Sequence, residues 1–193
     1  MPRLLCSALL SALLLTLSPF AGAVQNDDGI DLRLNIDGDE VHLDISCLVE
    51  AQPREVWAVL TDFEHMADFI RSLSSSQVIA RNSGIITVEQ RGKTGSGPLS
   101  FNLDSVREIQ MKPFEWIRSH LLSGSMKKFE GITRISEEGG KTRVQYHSDA
   151  VSAVWIPPVI GRSLIETEAR EQFTQMMQEV LRRKQQTTAS NSR

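Results

Sequence analysis

The stretch VIGRSLIETEAREQFTQMMQEVLRRK, residues 159–184, decides the fold. Within it Ile160, Leu164, Ile165, Ala169, Phe173, Met176, Met177, Val180 and Leu181 recur at steps of three and four, the spacing that aligns side chains along one side of an α-helix. Glu166, Glu168, Arg170, Glu171, Gln175, Glu179 and Arg183 take the opposite side. Such a helix lies on something apolar. At ~1.5 Å per residue it is about 39 Å long. Nearly everything between residues 30 and 150 has the character of strands, so its partner is a sheet curled along it and the class is α+β.

Ahead of the helix, Ile30, Leu32, Leu34 and Ile36 alternate with polar residues, Asp37-Gly38 makes a turn, and residues 41–49 alternate again, which predicts a β-hairpin. Pro53 opens a short helix with Val56, Val59 and Leu60 on its apolar side and Trp57 beside them. Thr61 and Glu64 have capping-box spacing, so a second short helix begins there and carries His65, Met66 and Phe69. Strands follow over 78–81, 85–91, 99–109, 116–122, 127–135 and 142–151, separated by Gly- and Pro-rich turn chemistry. Such short links favour antiparallel neighbours. Trp155-Ile156-Pro157-Pro158 then turns the chain into the long helix, and residues 185–193 form a polar tail expected to be disordered.

Arg3, an apolar run over residues 4–17 and Ala21-Gly22-Ala23 have the order of a secretory signal peptide. The apolar core, about 14 residues, falls short of the ~20 that span a bilayer. Cleavage after Ala23 is expected, giving an exported protein, periplasmic or secreted. Residues 24–38 would be its leader and an extra strand, and 39–184 its single domain. The chain has 24 acidic and 21 basic residues and a formal charge of −3; losing Arg3 makes it more acidic. That balance argues against nucleic acid, which needs a basic surface. Cys47 is the one cysteine beyond the leader, so no disulfide framework exists. It is in step with Val41, Leu43, Ile45 and Val49, the position of a buried, inert thiol.

Little in the chain announces chemistry. The 4 histidines lack metal-ligand spacing, His42 and His147 fall on the polar phase of their strands, and neither metal nor cofactor is expected. Gly92-Lys93-Thr94 is not a phosphate-binding loop, because Thr87 stands where its first Gly belongs; it is expected to be a hairpin turn. No Gly-x-Ser-x-Gly elbow occurs. The polar candidates on middle strands are Glu89 with Arg91, Arg118 with His120, and Tyr146, which shares the apolar phase of Val144. Facing inward, Glu89, Arg118, His120 and Tyr146 could serve as acids and bases; facing outward, the charged pairs are a solvated sheet surface. Asp62 is expected to cap the turn into the second helix, and Trp57 and Phe173 to pack the core.

The order of strand, two short helices, antiparallel strands and a long C-terminal helix is similar to the helix-grip fold of the START-like (SRPBCC) superfamily. Ala51-Gln52-Pro53-Arg54-Glu55-Val56-Trp57-Ala58-Val59-Leu60-Thr61-Asp62-Phe63-Glu64 resembles the opening of its polyketide cyclase/dehydrase and coenzyme-Q-binding branch. Pro157-Pro158 with residues 173–183 resembles the closing helix of that branch. The chain departs from the family where an aromatic-Pro pair and a further Pro are common, having His65-Met66 and Ile70-Arg71 instead. The resemblance implies a cavity between sheet and helix for a hydrophobic small molecule such as a lipid, isoprenoid quinone or polyketide. Candidate ligand-binding residues are Phe69, Phe101, Leu103, Tyr146, Leu164, Phe173, Met176 and Met177, with Met176-Met177 suited to flexible ligands. A binding protein without cofactor, a cofactor-independent cyclase or dehydratase, and a protein-interaction module are the functions the family implies. Trp155, Ile156, Pro157, Pro158, Val159 and Ile160 are either an entrance resting transiently on a membrane or a staple for the helix start.

Overall fold

A computed structural model describes residues 29–95, 100–153 and 158–191. The signal-like segment 1–23, the leader up to residue 28 and the Trp155-Ile156-Pro157 turn lie outside them. The elements, in chain order, are β1 (Ile30–Asp37), β2 (Glu40–Val49), α1 (Pro53–Leu60), α2 (Met66–Phe69), β3 (Leu73–Asn82), β4 (Ile85–Thr94), β5 (Phe101–Asn102), β6 (Ser105–Lys112), β7 (Trp116–Gly124), β8 (Met126–Glu138), β9 (Lys141–Ser152) and α3 (Pro158–Asn191). Their strands form one antiparallel sheet in the order β1-β2-β9-β8-β7-β6-β4-β3, with β5 paired to β4. The sheet is unclosed, with β1 and β3 at its edges. Bulges in β3, at the β6–β7 pairing and near the start of β8 supply the bending that curls it around α3.

Alternation sorts the side chains into two faces. Leu43, Ile45, Cys47 and Val49 of β2, Val88 of β4, Ile109 of β6, Ile117 of β7, Ile135 of β8 and Val144 of β9 point inward. They pack on Val56, Val59 and Leu60 of α1 and on Phe173 and Val180 of α3. Burying each such side chain contributes about 1.5–3 kcal/mol, and this shared core is what makes sheet and helices one unit. Cys47 is 3% exposed, and burial pushes its thiol up to about 11 despite the nearby Arg143 guanidinium.

Several sequence expectations need correction. No capping box forms at Thr61 and Glu64. Thr61 instead ends α1, its hydroxyl donating to the Trp57 carbonyl at 2.8 Å, and α2 starts only at Met66. Asp62 is not a helix cap; its carboxylate joins His65 at 2.6 Å and Arg183 of α3 at 2.8 Å, tying the α1–α2 turn to the long helix. Gly92, Lys93 and Thr94 belong to β4 rather than to a turn. The strand expected over 99–109 is two pieces, β5 and β6, parted where the Leu103 N–H turns to the Gly92 carbonyl at 2.9 Å. The tail expected to be disordered from residue 185 continues α3 to Asn191, with the Thr187, Thr188 and Ser190 hydroxyls donating to carbonyls one turn back.

The polar side of α3 is not simply a solvated face. Gln175 and Glu179 are both 8% exposed. The Gln175 side-chain oxygen accepts the Arg71 N–H at 2.8 Å, and Glu179 accepts from Arg182 and Arg183 at 2.6 Å. Along the other flank, Arg162 and Arg170 donate to the Leu34 and Ile30 carbonyls of edge strand β1 at 2.9 and 3.0 Å. Apolar residues hold the helix along its middle, and hydrogen bonds hold it at both rims.

Candidate functional site

Where the first half of α3 passes over β2, β5, β8 and β9, the two layers do not fully meet. A cavity of about 250 Å³ lies between them. Its wall is mostly apolar, with Val41, Leu43, Phe129 and Ala150 from the sheet and Leu164, Ile165 and Ala169 from the helix. Of the residues proposed from sequence, Phe101, Leu103, Tyr146 and Leu164 line it. Phe173, Met176, Met177 and Phe69 do not. They pack against the main core, because the second half of α3 closes onto α1 and leaves no gap there. Phe173 abuts the cavity residue Tyr146, with ring centroids 5.4 Å apart, and Phe69 lies 5.7 Å beneath the Arg183 guanidinium. The expected entrance, residues 155–160, has its side chains outside the described ones.

Two polar features flank this apolar wall. At one end Thr94 donates to Glu168 at 2.6 Å, and Gln172 donates to the same carboxylate at 2.7 Å. At the other, Tyr146 is half-buried, and desolvation pushes its phenol up against the opposing effects of a hydrogen bond with Ser148 and the nearby Arg107 charge. Beside Tyr146, Gly131 of β8 offers no side chain. A Cβ there would stand 3.1 Å from the Phe129 ring, which occupies space that glycine leaves, and at an ordinary contact distance of 3.6 Å from the Tyr146 ring.

Behind the Phe129 ring runs a polar chain, buried at Ser76 and Gln90 and half-buried at Arg107 and Ser119, that sequence reasoning missed. Ser76 donates to the Phe63 carbonyl, and Gln90 donates to Ser76 at 3.0 Å. The Gln90 oxygen accepts from Arg107 Nη2, while Arg107 Nη1 reaches the Ser119 hydroxyl at 3.4 Å. The Arg107 guanidinium carbon stands 5.7 Å from the centre of the Phe129 ring. Its signal was present in the alternation: Arg107 is in phase with Ile109 and Met111, and Gln90 with Val88.

Three acid–base candidates are on the wrong face. Glu89 pairs with Gln77 at 2.8 Å and Arg91 at 3.2 Å, Arg118 stacks over Trp116 at 4.8 Å, and His120 pairs with Glu130. All three are on the outer surface, out of phase with inward Val88 and Ile117, so only Tyr146 of the original set meets the cavity. The outer face also holds His42 and His147, half-buried rather than freely solvated. His42 joins Asp149 at 2.6 Å and His147 joins Asp44 at 2.8 Å; the Asp44 hydrogen bond raises His147 above the usual imidazole range, outweighing burial.

A family model, polyketide cyclase/dehydrase and lipid transport, matches residues 49–177. The chain belongs to this family. Among solved structures, it is similar to a STAR-related lipid transfer protein from Xanthomonas axonopodis at 13% identity and a TM-score of 0.66, over 81% of this chain and 96% of that one. It is similar to the Zhui aromatase/cyclase of a Streptomyces species at 16% identity and 0.64, over 75% and 95%. A START superfamily protein from Mycobacterium smegmatis matches at 15% and 0.60, over 73% and 97%. At such identities the likeness is one of fold. None of the curated proteins matches. Membership of the polyketide cyclase/dehydrase and lipid transport family explains the sheet, the gripping helix and the place of the cavity. Fold alone does not choose the chemistry inside it.

Proposed function

We propose that this protein encloses a hydrophobic small molecule beneath the first half of α3 and carries or presents it outside the cytoplasm. The observation that carries the reading is the cavity wall, apolar on both the sheet and the helix sides. Its two ionisable members among the described residues, Tyr146 and Glu168, are spoken for by Ser148 in one case and by Thr94 and Gln172 in the other. Such a lining holds a ligand by exclusion from water rather than by reaction. Export rests on the order of Arg3, the apolar run and Ala21-Gly22-Ala23. A membrane-resting entrance at residues 155–160 would suit a ligand drawn from a bilayer.

Native mass spectrometry of the protein purified from its source cells tests the binding reading. The expected spectrum contains a non-covalent adduct that dissociates on activation and extracts into organic solvent. A ligand-free mass, together with no binding of decan-1-ol, overturns it. The N-terminal sequence of the protein recovered outside the cytoplasm tests export, and a start at Val24 is expected.

A further inference from the structure

We propose that Glu168 receives the polar head of the cavity's ligand, so that the ligand is an apolar molecule whose head donates hydrogen bonds, an alcohol or an amine. This rests on the binding reading above and specifies its ligand class. Leu164, Glu168 and Gln172 stand one turn apart on α3, and all three line the cavity. A carboxylate therefore interrupts the apolar row of the helix where that row faces the ligand space. Half-buried there, it is costly unless its hydrogen bonds are met. The described lining holds this one carboxylate and no lysine, arginine or histidine. Among the described residues its partners are neutral: the Thr94 hydroxyl donates to Oε2 and the Gln172 amide to Oε1.

Those two bonds aim Glu168 without exhausting it. A carboxylate accepts about four hydrogen bonds, so each oxygen has capacity left over. The protein donors beside it are already committed. Gln172 gives its other amide hydrogen to the Ser72 hydroxyl at 3.2 Å, and the single hydroxyl proton of buried Thr94 is on Glu168. This end of the cavity thus presents acceptors and negative charge, and the missing donor has to come with the ligand. An anionic head would meet like charge there. A tail lying along Leu43, Ile165 and Phe129 would keep to the apolar wall while its head stays at Glu168.

The test titrates three probes of matched size into the wild-type protein by calorimetry: decan-1-ol, decylamine and 1-methoxynonane, an isomer of decan-1-ol that has no donor. At least one donor probe should bind about tenfold tighter than the ether, the scale of a hydrogen bond to a charged group. The tighter of the two tells a hydroxyl head from an ammonium one. Glu168→Met should remove the preference. Equal binding of all three by the wild type, the behaviour of a carboxylate that only faces water, overturns the anchor and leaves the apolar cavity standing. Binding of none overturns both readings. Because the wild-type comparison needs no variant, misfolding of Glu168→Met does not protect the proposal; a folded variant that still prefers the donor overturns it, since the head then lies elsewhere.

Discussion

Gly131 shows how much a single missing side chain sets. In a strand interior, glycine costs roughly 0.5–1 kcal/mol relative to alanine. At this position an added Cβ would press on the Phe129 ring at 3.1 Å. Gly131→Ala should therefore change unfolding free energy by less than about 1 kcal/mol, the two effects opposing, while displacing Phe129 and weakening ligand binding. Urea unfolding and probe titration of the same variant check both halves. Glu179 carries a separate prediction. The hydrogen bond from Arg182 holds its carboxyl down at about 2, outweighing burial and helped by Arg183. A folded value below the unfolded one, near 4.5, means the stabilisation is complete above the unfolded value and is lost as pH falls toward the folded one. Arg182 is 54% exposed, so screening reduces the effect to about 2 kcal/mol. Glu179→Gln should be less stable than wild type by that amount at pH 6, and the gap should narrow as acid is added; a gap constant with pH would count against the pairing. At this scale the sequence was partly legible. Tyr146 was placed inward by its phase with Val144; the same rule applied to Arg107 beside Ile109 would have placed it inward too, but a charged residue type masks an inward position unless phase is allowed to outrank it.

Among the elements, α3 was the most legible, because its apolar stripe depends only on spacing. Which of its polar residues would dock was not legible, since periodicity records residue type and not the partner brought alongside by the fold. Phe173 is 7% exposed and central to the core, whereas Trp57 is half-buried and rests edge-on against Phe114, itself 50% exposed. Phe173→Ala should cost about 3–5 kcal/mol and Trp57→Ala distinctly less, a ranking that thermal unfolding can check. Where β4 passes the α2–β3 link, the Gly92 Cα meets backbone so closely that a Cβ would stand 2.3 Å from the Ser72 carbonyl oxygen. Gly92→Ala should destabilise by about 2 kcal/mol or more, since backbone cannot step aside as a ring can. At the opposite rim, Arg162 and Arg170 cover carbonyls of edge strand β1. Exposed edges invite pairing with other chains. The Arg162→Ala, Arg170→Ala double variant should exchange amide hydrogens faster in β1 and self-associate at high concentration, measured by hydrogen exchange and light scattering.

For the molecule as a whole, a ligand that fills the cavity bridges sheet and helix and adds its binding energy to their cohesion. At a free concentration of 100 times Kd it should stabilise the fold by about 2.7 kcal/mol. That corresponds to a rise in Tm of roughly 5–11 °C for a domain of this size, readable in a thermal shift assay. The sheet order also has a kinetic side. Strand β2 begins at Glu40, yet its second neighbour is β9, with Cys47 opposite Val144 and Val49 opposite Thr142. The hairpin made first must wait for the strand made last, and a loop of nearly the whole domain has to close before that seam forms. Topologies dominated by such distant pairings fold in milliseconds to seconds rather than microseconds. A ribosome releasing this chain would hold the β1–β2 hairpin with one edge of β2 uncovered until Ser152 had emerged, and the nascent sheet would spend its synthesis open and accessible to chaperones.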